Sequence, residues 1–522
     1  MSATEAGKAA AKVCKTWQSE CRHIYDRERV HKINLLEELS EEELRELSPK
    51  VRHLLLSAGD THTNGHDLFE LFQKFSFPSL CTLRLDVPSS RFLDDDPGFI
   101  KSTQLKCLVL EWFEVNEISW ESWTNHFAGL EELSLQIGGL EPFDDDEERN
   151  AHFAQFLDRH SRLISLKIDH CRRTDELVGP LSLACLAQSG SLRVLHLLST
   201  TYEIEVITNI DDTFPCLEEL VLVGECTSLE RMVRQSHQLL RLDLRLIDWD
   251  QDILSSIAIL RKLTYLRIAP VNTHVTGSVD LSPHWFSIFS SLNRLECLCI
   301  TADIYRGQQD KATRGLSTDW SMSEQVEFFS SFPRLRHLVI SGVGSISQSA
   351  FCTLGRTATN LQFCHLTMAF DVSSAQLEQL PVFNSLEHLR VERISQSGTA
   401  DREVHNKLAR ALRSRMPNLE ALLVSDEREC HMTLMVPLAE QMTRLSGSTW
   451  LSCKHQKDIT SGYDCGIALL PRTLTTASST SSTPDPMETL FLNSMKHDRY
   501  RFMAPSAWLP AEDTKWLYGN KY

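Results

Sequence analysis

The chain has 522 residues, 42% of them hydrophobic and 24% charged, with a formal net charge of −17. That length exceeds one ordinary globular core but suits a repeat array, in which each unit buries itself against its neighbours. The acidic balance argues against non-specific binding of nucleic acid or an anionic membrane by the molecule as a whole. Fifteen cysteines are scattered without a Cys-x-x-Cys pair, and there is neither a signal-peptide core nor an apolar run of membrane length. Reduced thiols and a cytoplasmic or nuclear location are therefore expected.

In chain order, residues 1–12 are small and polar. Val13-Cys14-Lys15-Thr16-Trp17 comes next, with Cys21, Ile24 and Tyr25 at helical spacing. This stretch resembles the end of an F-box, over about residues 11–30. The opening Leu-Pro helix and the middle helix of that motif have no counterpart here, and an upstream gene start would supply them. The resemblance implies that Val13, Cys14 and Trp17 contact a Skp-type adaptor of a cullin–RING ubiquitin ligase. Read without it, the same residues form an amphipathic helix that caps a solenoid. Residues 35–50 read as an acidic helix, with Ser40 and Glu43 spaced for a capping box.

From residue 51 a pattern recurs. Phe214-Pro-Cys-Leu217-Glu-Glu-Leu220-Val-Leu222 carries apolar residues at offsets 1, 4 and 6 after a Phe-Pro corner. Offsets 4 and 6 face one side of a strand and offset 5 the other. The first offset falls at Val51, Leu80, Leu105, Leu130, Leu163, Leu192, Leu217, Leu239, Leu263, Leu295, Leu335, Leu361, Leu386 and Leu419, spaced 22 to 40 residues apart. All three offsets are apolar in every unit, counting Cys364, in a chain only 42% hydrophobic. The pattern resembles a leucine-rich repeat.

Helical periods lie between these strands, at Phe69–Phe75, Phe153–Leu157 and Val404–Leu412. The expected fold is α/β: an irregular leucine-rich-repeat solenoid, a horseshoe with a concave parallel β-sheet and convex helices. It divides into a helical N-terminal segment (1–50), about fourteen repeats (51–430) and a tail (431–522) with a Ser/Thr-rich linker at 473–486. The Asn or Cys of the repeat turn, at offset 9, is met only by Cys171, so local breaks in curvature are expected. Asp94–Asp96 and Asp144–Glu148 read as helix starts, where carboxylates meet the positive end of the dipole. The insertion 301–332 reads as a polar surface loop. The aromatic-rich segment 487–522 reads as folding back over the last repeats.

No catalytic signature appears. A nucleophile elbow, a phosphate-cradling loop, a zinc-protease helix and a dinucleotide fingerprint are all missing. His62 and His66, near Asp60 and Asp67, lack a second ligand pair and read as a polar loop. Gly342-Val-Gly344 reads as a turn. No enzyme activity, cofactor or metal is expected.

Offset 5 marks the centre of the concave face: Leu55, Arg84, Val109, Ser134, Lys167, His196, Val221, Asp243, Arg267, Cys299, Val339, His365, Arg390 and Leu423. Cations outnumber the single acid there. With flanking offsets, two groups stand out: Arg241, Asp243, Arg245, Tyr265 and Arg267, and Phe363, His365, His388, Arg390 and Glu392. Arginine grips carboxylate or phosphate through a bidentate fork, and aromatic neighbours supply anchoring area. The expected ligand is an acidic or phosphorylated protein segment, with no nucleic acid and no membrane. The combination resembles fungal F-box/leucine-rich-repeat proteins, which implies a substrate-recognition subunit of an SCF-type ligase. The alternative is a repeat scaffold without ligase attachment.

Overall fold

The structure is a computed structural model that describes residues 40–57, 74–86, 104–114, 120, 123, 127–139, 146–170, 177–198, 213–246, 251–270, 288–301, 320–341, 344–371, 373–395, 402–419, 421–424, 451–452 and 467–469. It divides into two compact units, residues 1–223 and 224–522.

In the first unit a helix, α1 (Glu41–Leu47), and a 3-10 turn (Ser48–Lys50) lead into seven strands. These are β1 (His53–Ser57), β2 (Thr82–Asp86), β3 (Cys107–Glu114), β4 (Glu132–Gly139), β5 (Ser165–His170), β6 (Val194–Leu198) and β7 (Glu219–Gly224). Each pairs in parallel with the next. Every strand begins two residues after its offset-1 position. The register keeps offset against offset, with Leu83 opposite Leu54 and Leu108, and Leu166 opposite Leu133 and Leu195. The offset-4 leucines are all but fully buried, from 2% exposure at Leu54 to 0% at Leu220. At about 2 kcal/mol per buried leucine, this row dominates the hydrophobic drive of each repeat.

Two backbone devices fix the register. A tight turn enters the strand: the N–H groups of Leu80, Leu130, Leu163 and Leu217 donate to the carbonyls of Phe77, Phe127, His160 and Phe214. The offset-2 carbonyl then accepts two N–H groups from the next repeat. Arg52 O accepts from Cys81 and Thr82, and Cys81 O from Lys106 and Cys107. This ladder needs no particular side chain, so the repeats stack although the turn asparagine is missing. Phe214 takes a left-handed φ of 54° immediately before Pro215, with its ring buried. The side-chain packing there holds a conformation that a bulky residue rarely adopts.

Helices α2 (Asp146–Arg159) and α3 (Pro180–Gln188) pack together in this unit. The described part of the acidic run, residues 146–148, opens α2, and Phe153–Leu157 lies within it. Trp120, Trp123, Phe127, Phe153 and Phe156 form a buried aromatic cluster with neighbouring ring centroids 4.7 to 5.9 Å apart. Between the helices the buried Ser182 hydroxyl donates to Asn150 Oδ1 at 2.8 Å.

The second unit continues the pattern with β8 (Arg241–Leu246), β9 (Tyr265–Pro270), β10 (Cys297–Thr301), β11 (His337–Ser341), β12 (Phe363–Asp371), β13 (His388–Ser395) and β14 (Ala421–Val424), parallel in sequence order. Its helices are α4 (Cys226–Gln235), α5 (Gln251–Ala258), α6 (Met322–Ser330), α7 (Gln348–Thr357), α8 (Ser374–Gln379) and α9 (Arg402–Arg415), the last containing Val404–Leu412. Two short strands lie beyond β14, namely β15 (Leu451–Ser452) and β16 (Ile467–Leu469). β16 pairs antiparallel with β14, and β15 antiparallel with β16. Both units are thus leucine-rich-repeat solenoids.

One expectation is corrected. The insertion 301–332 is not loop throughout, because its end is α6, opened by a capping box. Ser321 Oγ accepts the Glu324 N–H, and Glu324 accepts the Ser321 N–H. Trp320, Phe328, Phe329 and Phe332 are buried in one aromatic cluster. Gly344 has a φ of 94°, as a turn glycine should. The segments Asp94–Asp96, His62–His66 and 473–522 lie outside the described residues, as does most of Phe69–Phe75.

Candidate interaction face

Offset-5 side chains leave the strands on the side opposite the leucines. In the first unit Arg84, Val109, Ser134 and Lys167 are half-buried, whereas Val221 and His196 are buried. His196 Nε2 donates to Glu219 Oε1 across adjacent strands at 2.9 Å.

Both groups singled out in the sequence lie in the second unit. In the first of them, Asp243 and Arg267 stand opposite each other on β8 and β9. Arg267 Nη1 donates to Asp243 Oδ2 at 3.3 Å, with only 5% and 1% of the two side chains exposed. Burial works against the Arg267 charge, and Asp243 leads the interactions that more than offset it. In the flanking row the Arg241 guanidinium lies 4.4 Å from the centre of the Tyr265 ring. Burial, and then Asp243, raise the Tyr265 phenol well above its ordinary value, so it stays protonated. Arg245 is half-buried opposite Ala269. None of Arg241, Arg245 and Arg267 is free. The charges of this group are engaged within the chain.

Two strands separate the groups, so β9 and β12 lie about 14 Å apart at ~4.8 Å per strand. The space between holds Cys299 and Val339, both buried. Burial pushes the Cys299 thiol up to about 11 and raises Cys297 and Cys364 as well, which removes the thiolate needed for nucleophilic chemistry.

The second group is more open. Phe363, His365, His388 and Arg390 are half-buried and Glu392 is exposed. Phe363 stands opposite His388 with ring centroids 6.0 Å apart, and His365 stands opposite Arg390. Burial, and then the charge of Arg390, drive His365 down to about 3. A bulge in β12 between Leu366 and Ala369 falls opposite Glu392, so this acid sits where the regular pairing breaks. His337, at offset 3 of β11, completes the row beside Phe363 and was missed as a site residue. Reading offset 3 along every strand would have found it. The adaptor candidates Val13, Cys14 and Trp17 lie outside the described residues.

Among the described residues no group of three His, Cys, Asp or Glu could hold a metal ion, and no helix is long and apolar enough to cross a membrane.

No protein-family model matches the chain, and no curated protein matches it. Among solved structures it is similar to an internalin (InlF) of Listeria monocytogenes, at 14% identity over 74% of this chain and 88% of that one, with a TM-score of 0.40. It is also similar to a chain of the Rad7–Elc1 complex in yeast, at 15% identity over 83% and 95%, with a TM-score of 0.39. TLR13 in complex with ssRNA13 matches at 15% identity over 74% and 54%, with a TM-score of 0.37. The fold assignment rests on strand register, not on these distant likenesses. An ordered row of side chains on a parallel sheet suits a protein-interaction scaffold.

Proposed function

We propose that the chain is the substrate-recognition subunit of an SCF-type cullin–RING ubiquitin ligase. Val13, Cys14 and Trp17 engage a Skp-type adaptor, and the offset-5 face of the repeats holds the protein to be modified. The observation that supports attachment is the Val13-Cys14-x-x-Trp17 signature ahead of a run of leucine-rich repeats. The observation that supports recognition is the row of histidine, phenylalanine and arginine side chains across β11 to β13, opposite the leucine core. The chain itself does no covalent chemistry in this reading. Its cysteines at 107, 297, 299 and 364 are held as thiols by burial, with Cys107 raised to about 12.

Co-expression with a Skp-type adaptor tests the attachment. The wild-type chain is expected to co-purify with the adaptor, and Trp17→Ala with Val13→Ala is expected to lose it while the melting temperature holds. If neither the 522-residue chain nor a version extended upstream retains the adaptor, the repeats act as a scaffold without ligase attachment.

A further inference from the structure

Two groups on the offset-5 face compete as the partner site, and their geometry separates them. On β8 and β9 the cation Arg267 is taken up by Asp243, and Arg241 lies over Tyr265. Tyr265, Asp243 and Arg267 are 5%, 1% and 4% exposed. A partner would have to pull apart a buried ion pair to use them, leaving a buried charge uncompensated. On β11 to β13 the rows at offsets 3 and 5 hold His337, Phe363, His365, His388 and Arg390, all half-buried, with the buried Val339 opposite His365 and no acid among them. Two acids border the patch: Glu296, which acts on His337, and Glu392, which stands at the rim opposite the bulge.

We infer that the patch formed by His337, Phe363, His365, His388 and Arg390 docks a carboxylate-rich peptide segment of the partner protein. Arg390 receives a carboxylate through its fork, His365 donates a neutral ring N–H beside it, and Phe363 takes an apolar side chain. Arg390, His337 and Phe363 already have contacts within the chain, which the partner's groups join or replace. The inference deepens the recognition half of the proposed function and rests on it.

The patch also predicts proton linkage. His337 is held below its ordinary value by burial first and by Arg336 next, with Glu296 opposing and His388 adding to the depression. A carboxylate docked nearby restores its affinity for a proton, so binding takes up protons and tightens as pH falls. His365, driven down to about 3 by burial and then by Arg390, is a neutral donor before the carboxylate docks. Glutamates remain ionised at pH 6, being about 4.3 in the free peptide.

The test is fluorescence anisotropy with the full chain and three labelled dodecapeptides sharing a central leucine, one rich in Glu, one with Gln in place of Glu, and one with phosphoserine in place of Glu. The Glu peptide is expected to bind, and to bind about threefold tighter at pH 6.0 than at pH 7.5. Arg390→Gln should weaken it about tenfold, as for loss of a charge-assisted pair. Glu392→Gln should strengthen it about twofold, a gain that misfolding cannot produce. Arg334→Gln, in an exposed turn, is the control for lost charge. The inference is overturned if the Gln peptide binds as well, if only the phosphoserine peptide binds, or if Arg390→Gln and Glu392→Gln both leave binding unchanged. Adaptor co-purification is scored on the same samples. Adaptor retained with no Glu-peptide binding overturns this inference and leaves the ligase reading standing, and the reverse pattern does the opposite.

Discussion

His160 occupies a place that phenylalanine holds at 77, 127, 214, 332 and 383, under the turn that enters each strand. It is 2% exposed, its ring stacks on Phe156 at 4.0 Å, and Nδ1 donates to Phe156 O at 2.6 Å. Burial lowers its proton affinity, and backbone hydrogen bonding only partly opposes this. The folded value lies below the unfolded one of about 6.5, so its stability contribution is complete above that pH and is lost as pH falls. His160→Phe should therefore flatten the loss of melting temperature between pH 7 and 5, leaving a remainder from His337 and His365, whose shifts have the same sign. An unchanged slope would mean that His160 does not titrate in this window. Asp243 gives the second residue-scale test. Asp243→Ala removes the largest compensation for burying Arg267 and should cost about 3 kcal/mol in denaturant unfolding. The double replacement Asp243→Val with Arg267→Leu should recover most of that loss. The sequence put Asp243 and Arg267 at the same offset of successive repeats, but not how deeply the pair is buried.

At the scale of elements, the place of each parallel strand was legible and helices less so. A strand must place offsets 1, 4 and 6 in the core and hand its offset-2 carbonyl to the next repeat, which leaves no freedom of register. Helix α6 was hidden in the longest insertion although Ser321-Met-Ser-Glu324 spells its capping box, because the polar residues before it dominated the reading. Helix α7 offers a test of packing between elements. A Cβ at Gly355 would clash with Phe383 Cζ and lie 2.7 Å from Pro381 Cγ. Phe383 cannot swing away readily, since it stacks on Phe351 at 4.8 Å and is 3% exposed. Alanine gains about 1 kcal/mol of helix propensity over glycine, and overpacking costs about 1–3 kcal/mol. The second term wins. Gly355→Ala should lower the melting temperature by a few degrees, and an increase would show that the 381–383 segment yields.

For the molecule as a whole, repeat architecture makes the ends the weak points, because a terminal repeat has one neighbour instead of two. The repeat pattern located the last parallel strand at Leu419–Val424 but not its cover, since β15 and β16 together are only five residues without a repeat spacing. The antiparallel pairing of β16 to β14, with β15 paired beyond it, satisfies backbone groups that would otherwise form an open, aggregation-prone edge. A chain ending after residue 430 loses that cover and one ending after residue 472 retains it. The shorter chain should show faster amide exchange at Leu422, Leu423 and Val424, a lower melting temperature and a tendency to associate through the exposed strand. The longer one should protect those amides as the full chain does. Equal exchange at β14 in both truncations would mean that β16 does not guard the edge, and would move the cap of the solenoid to residues 487–522, where the aromatic content of the tail first placed it.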